Sequence, residues 1–406
     1  MSRLRGHNAA DIKNRNLSVI IRTIRRAGLI SRTELAKETG LSNPAVGNLV
    51  AELVELGLVK ETGSVNQPIG RSRVMLTLNN EGALIIGLEI ARNSVYGLLT
   101  NMKGAPLATQ EINFAQGSAS DVVLSSLYQV IEDLLTAARQ MKAPLIGIGV
   151  GTPGPVDVDE GKIFEPPNFP GFQNIALKYI IEQRYQVPCH LNDDARTSAL
   201  GEAWFGAGRD VSSLVFISLG EGIGSGIIFD HQLYEGAHDI AGQIGHFTVE
   251  PKGQRCDCGN IGCLETVASI PAIVSRARSA RVVNGCQISD RKVISHLVEA
   301  YRSGEPGVRK LLDETLDYIV TAVVSAINSY DPEMVILGGR LTRGFPELVD
   351  IVRRRVIARC YYHVANDLRI EAGQLGPKTS AVGGAVLVLQ RLLHEPVATL
   401  EAAVRP

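Results

Sequence analysis

The sequence lacks any long hydrophobic run. No apolar stretch among its 406 residues reaches the roughly 20 residues that span a bilayer. Residues 1–7 also lack the apolar core of a secretory signal. These two absences argue against a membrane-spanning or secreted chain, and we expect a cytoplasmic protein. Hydrophobic residues nevertheless make up 45% of the chain, which is sufficient for the cores of about two to four domains.

The chain also lacks a strong net charge. Its formal net charge is −1 at pH 7. This near-neutrality hides an asymmetry, because residues 1–78 contain twelve Lys and Arg but only six Asp and Glu. The N-terminal segment therefore carries +6 and the rest of the chain −7. A basic N-terminal module on an acidic body predicts that the first part binds a polyanion and that the second does not.

Cysteine is scarce, but three of the six cysteines lie within eight residues. These three are Cys256, Cys258 and Cys263, and His246 precedes them. One imidazole and three thiolates are a ligand set that Zn²⁺ prefers in a closed tetrahedral site. Glycines between the cysteines allow the backbone to fold tightly enough for the thiols to converge. The sequence predicts one structural zinc ion per chain. The alternatives are buried free thiols or a disulfide in an oxidising compartment.

The N-terminal segment has the pattern of three short helices. An apolar face over residues 17–24 predicts a first helix that ends near Gly28. Ser31 and Glu34 have the spacing of a capping box at the start of a second helix. Ser42 is the predicted N-cap of a third helix, whose buried stripe runs to residue 56. Two capped helices separated by three or four residues indicate a helix-turn-helix.

Two predicted strands, at residues 58–61 and 74–78, would form the wing of a winged helix-turn-helix. Asparagine reads adenine bidentately in the major groove, and arginine enters the minor groove or contacts phosphate. A three-helix module for protein interaction or dimerisation is the alternative. The candidate DNA contacts are Ser42, Asn43, Ala45, Gly47 and Asn48 at the start of the third helix, with Arg71 and Arg73 in the wing.

From about residue 81 the pattern changes to alternating strands and helices. An amphipathic helix is predicted over residues 122–138, with strands at 84–90, 95–99 and 145–150. A similar order recurs later, with a strand at 214–219, a glycine-rich loop at 220–226 and a strand at 227–229. Two such units predict a duplicated α/β fold with a ligand cleft between two lobes.

Four segments of the body resemble the ROK family, which joins sugar kinases to sugar-responsive transcription repressors. They are residues 201–208 (GEAWFGAG), 220–226 (GEGIGSG), 242–246 (GQIGH) and 262–265 (GCLE). With its winged head, the chain is similar to repressors of the NagC/Mlc type over residues 10–390. The resemblance implies an actin-like, two-lobed body of the sugar-kinase kind, with the zinc site beside the sugar pocket.

This resemblance divides the chain into three parts. We predict a winged helix-turn-helix head at residues 1–80 and a first α/β lobe at residues 81–195. The first lobe would also include the C-terminal helices at residues 380–406. A second α/β lobe at residues 196–379 would carry the zinc site.

The elements that bind ATP phosphates in the family's kinases are altered here. ROK kinases have Asp-x-Gly-Gly-Thr where this chain has residues 89–93 (EIARN), so side chains replace two glycines. Glu221 stands where the kinases have Thr in the second phosphate loop, and its carboxylate would repel phosphate. The third element, at residues 335–339, is retained, and we interpret it as a tight strand-to-helix turn. The sequence therefore predicts a protein that is not an enzyme.

The predicted effector pocket is better preserved than the ATP site. Asp194 matches the general base of the kinases and, without ATP, would accept hydrogen bonds from sugar hydroxyls. Gln243 replaces the usual Glu. Arg196 replaces an Asn and would pair with a phosphate, or alternatively with Asp193 or Asp194. The resemblance implies an effector pocket formed by Asn168, Asp194, Arg196, Gln243, His246 and Glu265.

These features predict a transcriptional repressor of carbohydrate uptake or metabolism genes, controlled by a sugar or sugar phosphate. The alternative is an active ATP-dependent ROK sugar kinase with an accessory DNA-binding head. A repressor released by a regulatory protein partner is a third possibility. The double-stranded operator would have half-sites ~34 Å apart, which requires at least a homodimer. The apolar helices at residues 311–329 and 382–393 would supply the dimer interface or be buried within the body.

Overall fold

The computed structural model of the chain describes residues 9–65, 73–166, 169, 172–282, 290–361 and 367–404. It forms two compact units. The first comprises Met1–Val150, Ala176–Leu191 and Gly384–Pro406, and the second comprises Gly151–Ile175 and Asn192–Gly383. The head and the predicted first lobe share one compact unit, so the division at residues 80, 195 and 379 stays a prediction. Across the described ranges, no helix is both long and apolar enough to cross a membrane.

The head is a winged helix-turn-helix, as predicted. The Ser31 Oγ accepts a hydrogen bond from the Glu34 N–H at 3.3 Å, and the Glu34 carboxylate accepts one from the Ser31 N–H at 2.9 Å. Gly40 ends the second helix with φ 70°. A small sheet with strand order β1-β3-β2 forms the wing. The elements are α1 (Ala9–Ala27), β1 (Ile30–Ser31), α2 (Arg32–Thr39), α3 (Asn43–Glu55), β2 (Val59–Val65) and β3 (Arg73–Leu78).

A five-stranded sheet of order β10-β7-β4-β5-β6 follows the head. The sequence analysis missed β6, whose side chains are exposed or half-buried, because an edge strand without a buried face carries a weak apolar signal. The elements are β4 (Leu84–Ala91), β5 (Ser94–Asn101), β6 (Pro106–Asn113), α4 (Ser120–Ala138), β7 (Leu145–Thr152), β8 (Val156–Asp157), β9 (Lys162–Ile163), α5 (Leu177–Tyr185) and β10 (Cys189–Asp193).

A second five-stranded sheet has the order β13-β12-β11-β14-β15. Strands β11, β14 and β15 are parallel, and β12 pairs antiparallel with β11 and β13. The elements are α6 (Asp194–Phe205), β11 (Leu214–Leu219), β12 (Ile223–Phe229), β13 (Gln232–Leu233), α7 (Glu265–Ala268), α8 (Ile270–Ser279), α9 (Asp290–Ser303), α10 (Pro306–Tyr330), β14 (Met334–Gly338), α11 (Gly339–Gly344), α12 (Glu347–Ile357), β15 (Arg369–Ala372), α13 (Thr379–His394) and α14 (Pro396–Val404).

The apolar faces of α10 and α13 are buried. Leu316, Ile319 and Val323 of α10 are at most 2% exposed and belong to the core of the second unit. Val386 and Leu389 of α13 are at most 1% exposed. Burial within the body therefore accounts for these apolar residues, and they are not available as a dimer interface.

Strand β12 packs closely against helix α6 because it carries glycine where the helix approaches. A Cβ on Gly224 would lie 2.7 Å from the Ala195 Cβ, and a Cβ on Gly226 would lie 2.5 Å from the Ala199 Cβ. The prediction of a loop over residues 220–226 is therefore wrong beyond Gly222, because Ile223 and the residues after it continue as strand. These glycines provide room for a helix rather than for a turn.

The Gly226→Ala substitution tests this packing. The added methyl group would meet Ala199 and the α6 backbone, and we expect a loss of about 1–3 kcal/mol in the free energy of unfolding. Gly344→Ala is the matched control, since its Cβ would meet only the Ile294 side chain at 3.6 Å. The control should change stability by less than about 0.5 kcal/mol. Equal unfolding midpoints for the two variants would contradict the close-packing assignment.

Candidate metal centre and DNA-binding surface

The four predicted metal ligands converge. The ligand atoms of His246, Cys256, Cys258 and Cys263 all lie within 4.8 Å of one another. The Cys256 Sγ lies 3.6 Å from the His246 Nδ1, and the Cys258 and Cys263 sulfurs are 3.7 Å apart. The 3.7 Å between the Cys258 and Cys263 sulfurs exceeds the S–S bond length of about 2.0 Å, so these two cysteines form no disulfide. All three cysteines are free thiols.

Tight backbone turns bring these ligands together. The Cys256 N–H donates to the Asn260 carbonyl at 2.8 Å, and the Gly259 N–H donates to the Cys256 carbonyl at 2.9 Å. Gly262 has φ 71°, and a Cβ there would lie 1.7 Å from the Glu250 carbonyl oxygen. Only glycine therefore fits directly before the ligand Cys263.

Asn260 supports the cluster in a way that the sequence analysis missed. Its side-chain amide donates to the His246 carbonyl at 3.2 Å and to the Cys263 sulfur at 3.4 Å. Its position between Gly259 and Gly262 was the available signal, because a polar residue in a ligand loop commonly bonds a ligand atom.

The donor set fits a zinc ion. Burial raises the pKa of the Cys263 thiol to about 12, and burial also raises the pKa of the Cys256 thiol. A bound cation would offset this effect by stabilising the thiolates. One nitrogen and three sulfurs match the closed tetrahedral coordination of structural zinc.

The elements that carry the described residues of the predicted effector pocket pack on strand β12. Asp194 begins helix α6, which packs on β12 through Gly224 and Gly226. Glu265 accepts a hydrogen bond from the Ile223 N–H at 2.7 Å.

Gln243 and His246 belong to the segment around a 3₁₀ helix, Ile244–His246, which also packs on β12. The approach is close, since a Cβ on Gly245 would lie 2.0 Å from the Ile223 carbonyl oxygen. Gln243, His246 and Glu265 are partly buried, as is Asp194. Asn168, the remaining predicted pocket residue apart from Arg196, lies outside the described residues.

Arg196 is 2% exposed, and its side chain donates hydrogen bonds to backbone carbonyls. Burial raises the pKa of the neighbouring Asp193 carboxyl, and the Arg196 charge opposes that rise, so Arg196 also interacts electrostatically with Asp193. Its Nη2 donates to the Ala241 carbonyl at 3.1 Å and to the Glu235 carbonyl at 3.4 Å. Its Nε has no hydrogen-bond partner among the described residues. The Asn192 amide donates to the Glu235 carboxylate at 3.2 Å, and burial raises the pKa of that carboxyl. Arg196 and Asn192 therefore hold residues 235–241 against α6.

Glu221 forms an ion pair with Arg340. The Arg340 Nη1 donates to the Glu221 carboxylate at 2.5 Å, and both side chains are 39% exposed. Arg340 follows Gly339, which has φ 90° and whose Cβ would lie 2.3 Å from the Leu219 carbonyl oxygen. The turn after β14 is therefore tight, as predicted, and it places Arg340 beside the turn between β11 and β12.

The predicted recognition residues lie at the N-terminal end of α3. Asn43 and Asn48 are exposed, and Ala45 and Gly47 are partly exposed. The Ser42 Oγ accepts a hydrogen bond from the Ala45 N–H at 3.4 Å, so its side chain caps the helix.

Of the two predicted wing arginines, the structure describes only Arg73. The Arg73 guanidinium lies 3.7 Å from the Glu34 carboxylate. Arg71 is outside the described residues. Helix α3 therefore carries exposed amide side chains where base contacts are predicted, while one wing arginine faces a carboxylate of α2.

The fold and the two sites define a DNA-binding protein whose α/β body carries a His/Cys cluster that could hold a metal ion. The ROK family model matches residues 85–391, and a model described as winged helix-turn-helix DNA-binding matches residues 13–60. The chain therefore belongs to the ROK family. Its body has the actin-like sugar-kinase fold, and a ROK hexokinase from Thermus thermophilus shares this fold.

Similar proteins cover nearly the whole chain. It is 31% identical over 391 residues to the Xylose repressor of Caldicellulosiruptor bescii, covering 95% of this chain and 98% of that protein. It is 28% identical to the DNA-binding transcriptional dual regulator NagC of Escherichia coli, over 94% of each chain. A crystal structure of a ROK family transcriptional regulator, a homolog of the E. coli MLC protein, has a TM-score of 0.82 at 27% identity. That match covers 97% of this chain and 99% of the other.

We expect about one zinc ion per purified chain, measured by elemental analysis. Cys258→Ser should lose the zinc and lower the melting temperature of the body, because metal binding is coupled to folding. Cys360→Ser is the matched control, since Cys360 lies outside the cluster. Wild-type protein prepared without chelators that contains no metal would contradict the assignment.

Asn43→Ala and Asn48→Ala test the recognition surface. If either amide reads a base, its loss should weaken operator binding by about 1–3 kcal/mol and leave binding to random DNA nearly unchanged. Fluorescence anisotropy with labelled duplexes measures both affinities. Asn328→Ala, an exposed position on α10, is the control. Unchanged discrimination in both head variants would show that the bases are read elsewhere.

Proposed function

We propose that this chain is a DNA-binding transcriptional repressor of carbohydrate genes, controlled by a sugar effector that binds its body. The observation that carries the proposal is a capped winged helix-turn-helix joined to a ROK body. Relatives named as repressors match this arrangement over 94–95% of the chain. A homodimer on a palindromic operator follows from the modest surface that a single winged module buries on DNA.

The geometry of the former phosphate loops opposes the alternative of an active kinase. Strand β4 ends at Ala91 and β5 begins at Ser94, and these two residues pair directly. Only Arg92 and Asn93 form the turn, and the Phe114 N–H donates to the Asn93 carbonyl at 2.9 Å. A two-residue hairpin turn with side chains offers no row of free backbone N–H groups to a phosphate.

The second phosphate loop is also altered. The Glu221 carboxylate occupies the turn between β11 and β12, where it would repel a phosphate. Its partner Arg340 is the cation that would otherwise be available to attract one. The ion pair therefore neutralises the positive charge of Arg340, which would otherwise attract a nucleotide phosphate.

The effector is proposed to contact Asp194, Gln243, His246 and Glu265, which lie on elements that pack on β12. Carboxylates and amides bind sugar hydroxyls by hydrogen bonding. The buried Arg196 already donates to two carbonyls, which favours a neutral sugar over a sugar phosphate. The curated relatives are named for xylose and for N-acetylglucosamine, so they disagree on which sugar.

Zinc would have a structural role in this site. When bound, it supplies a rigid cross-link between the segment that bears His246 and the loop that bears the three cysteines. Cys263 is two residues before Glu265, whose carboxylate holds the Ile223 N–H. The metal loop therefore helps to position a pocket residue without taking part in chemistry.

Asp194→Ala tests the effector site. Because Asp194 is remote in sequence from the head, the variant should bind operator DNA with unchanged affinity but lose its response to sugar. Coupling between sites is typically ~1–3 kcal/mol, so the inducing sugar should shift wild-type operator affinity about 5–150-fold. Fluorescence anisotropy across a panel of pentoses, hexoses and amino sugars gives the measurement.

Asp121→Ala, an exposed position on α4, is the control and should respond as the wild type does. A normal sugar response in Asp194→Ala would place the effector elsewhere and favour a regulatory protein partner. ATP-dependent phosphorylation of any responding sugar by the wild type would contradict the proposal that the protein is not an enzyme.

A further inference from the structure

A surface cavity of about 680 Å³ lies among α9, α10 and α12 in the second unit. It is distinct from the metal centre and from the predicted effector residues. Arginines and aromatic rings dominate its lining, which includes Tyr301, Phe345, Arg302, Arg309, Arg354 and Arg355. Its volume falls within the range of about 300–1,000 Å³ that is typical of small-molecule sites.

The carboxylates around this cavity are already paired. Arg302 makes a two-point contact with Glu347 at 2.6 and 2.9 Å. Arg355 bonds Asp317 at 2.8 Å and Asp313 at 2.5 Å.

Asp350, the other acidic residue of the lining, accepts a hydrogen bond from Arg353 at 2.6 Å. Arg353 is not part of the lining. Arginines other than Arg309 and Arg354 therefore pair with the four carboxylates of this region, which are Glu347, Asp313, Asp317 and Asp350.

Arg309 and Arg354 have no carboxylate partner among the described residues. The Arg309 Nε donates to the Tyr301 carbonyl at 3.4 Å, and the Arg354 Nε donates to the Asp350 carbonyl at 3.3 Å. Each guanidinium is therefore held through Nε by the backbone of a neighbouring helix or of its own helix. The Nη groups of both remain available for a ligand of the cavity.

We propose that this cavity binds a small phosphorylated metabolite through Arg309 and Arg354. Guanidinium groups match phosphate oxygens with parallel hydrogen bonds, and they stay charged at every physiological pH. The partly exposed Tyr301 ring, which packs edge-on against the buried Phe345 ring at a centroid distance of 5.3 Å, provides an apolar wall for the rest of the molecule. The concave shape favours a small molecule over the flat surface of a protein or of duplex DNA. The site is independent of the proposed sugar effector and of the head.

Isothermal titration of the full-length protein with inorganic pyrophosphate and with fructose 1,6-bisphosphate tests this site. At constant ionic strength, at least one of the two probes should bind the wild type. The double variant Arg309→Gln, Arg354→Gln should bind it at least about tenfold more weakly, which corresponds to about 1.4 kcal/mol. Both positions are exposed, so folding should be preserved, and thermal unfolding checks this.

Arg359→Gln is the matched control, because Arg359 is an exposed arginine that contacts Thr321 and does not line the cavity. It should bind the probe as the wild type does. Failure of both probes to bind the wild type would overturn the proposal. Undiminished binding by the double variant would also overturn it, as would an equal loss in Arg359→Gln, which would indicate a nonspecific charge effect.

Discussion

The close approach of helix α6 to strand β12 is the constraint on which the site in the body depends. Glycines at 224 and 226 remove the side chains that would otherwise separate the helix from the strand. The 3₁₀ segment before Phe247 approaches the same strand through Gly245. Because these glycines have no side chains, elements that are distant in sequence pack directly on the backbone of β12. A shift of the β12 backbone would therefore move Asp194 and Glu265 together.

Local chemistry explains what the sequence predicted correctly. The capping box of Ser31 and Glu34 and the αL glycine at 40 depend on residues within one turn of helix, so spacing alone reveals them. The metal cluster is similar, since Cys256, Cys258 and Cys263 lie in one short loop whose glycines allow only a tight path. Such features are determined by residues that lie close together in the sequence.

Features that arise from tertiary packing were not predictable in the same way. The glycines of β12 have the composition of a loop, and only the position of α6 shows that they belong to a strand. Arg196 was expected to meet phosphate or a neighbouring aspartate; its charge does act on Asp193, but its hydrogen bonds go to carbonyls about 40 residues away. The edge strand β6 lacks a buried face and so lacks the apolar alternation that identifies a strand. In each case the deciding neighbour is distant in sequence.

Under the proposed function, the Glu221–Arg340 pair would oppose nucleotide binding while the fold is kept. Both side chains are 39% exposed, and ion pairs at such positions contribute about 0–1 kcal/mol to stability. The pair therefore has little value as a structural cross-link. Its larger effect is on binding, because a phosphate would have to displace a carboxylate from the arginine and then lie beside that carboxylate. In the proposed function, these two surface charges would thus oppose nucleotide binding at little cost to the stability of the sheet beneath them.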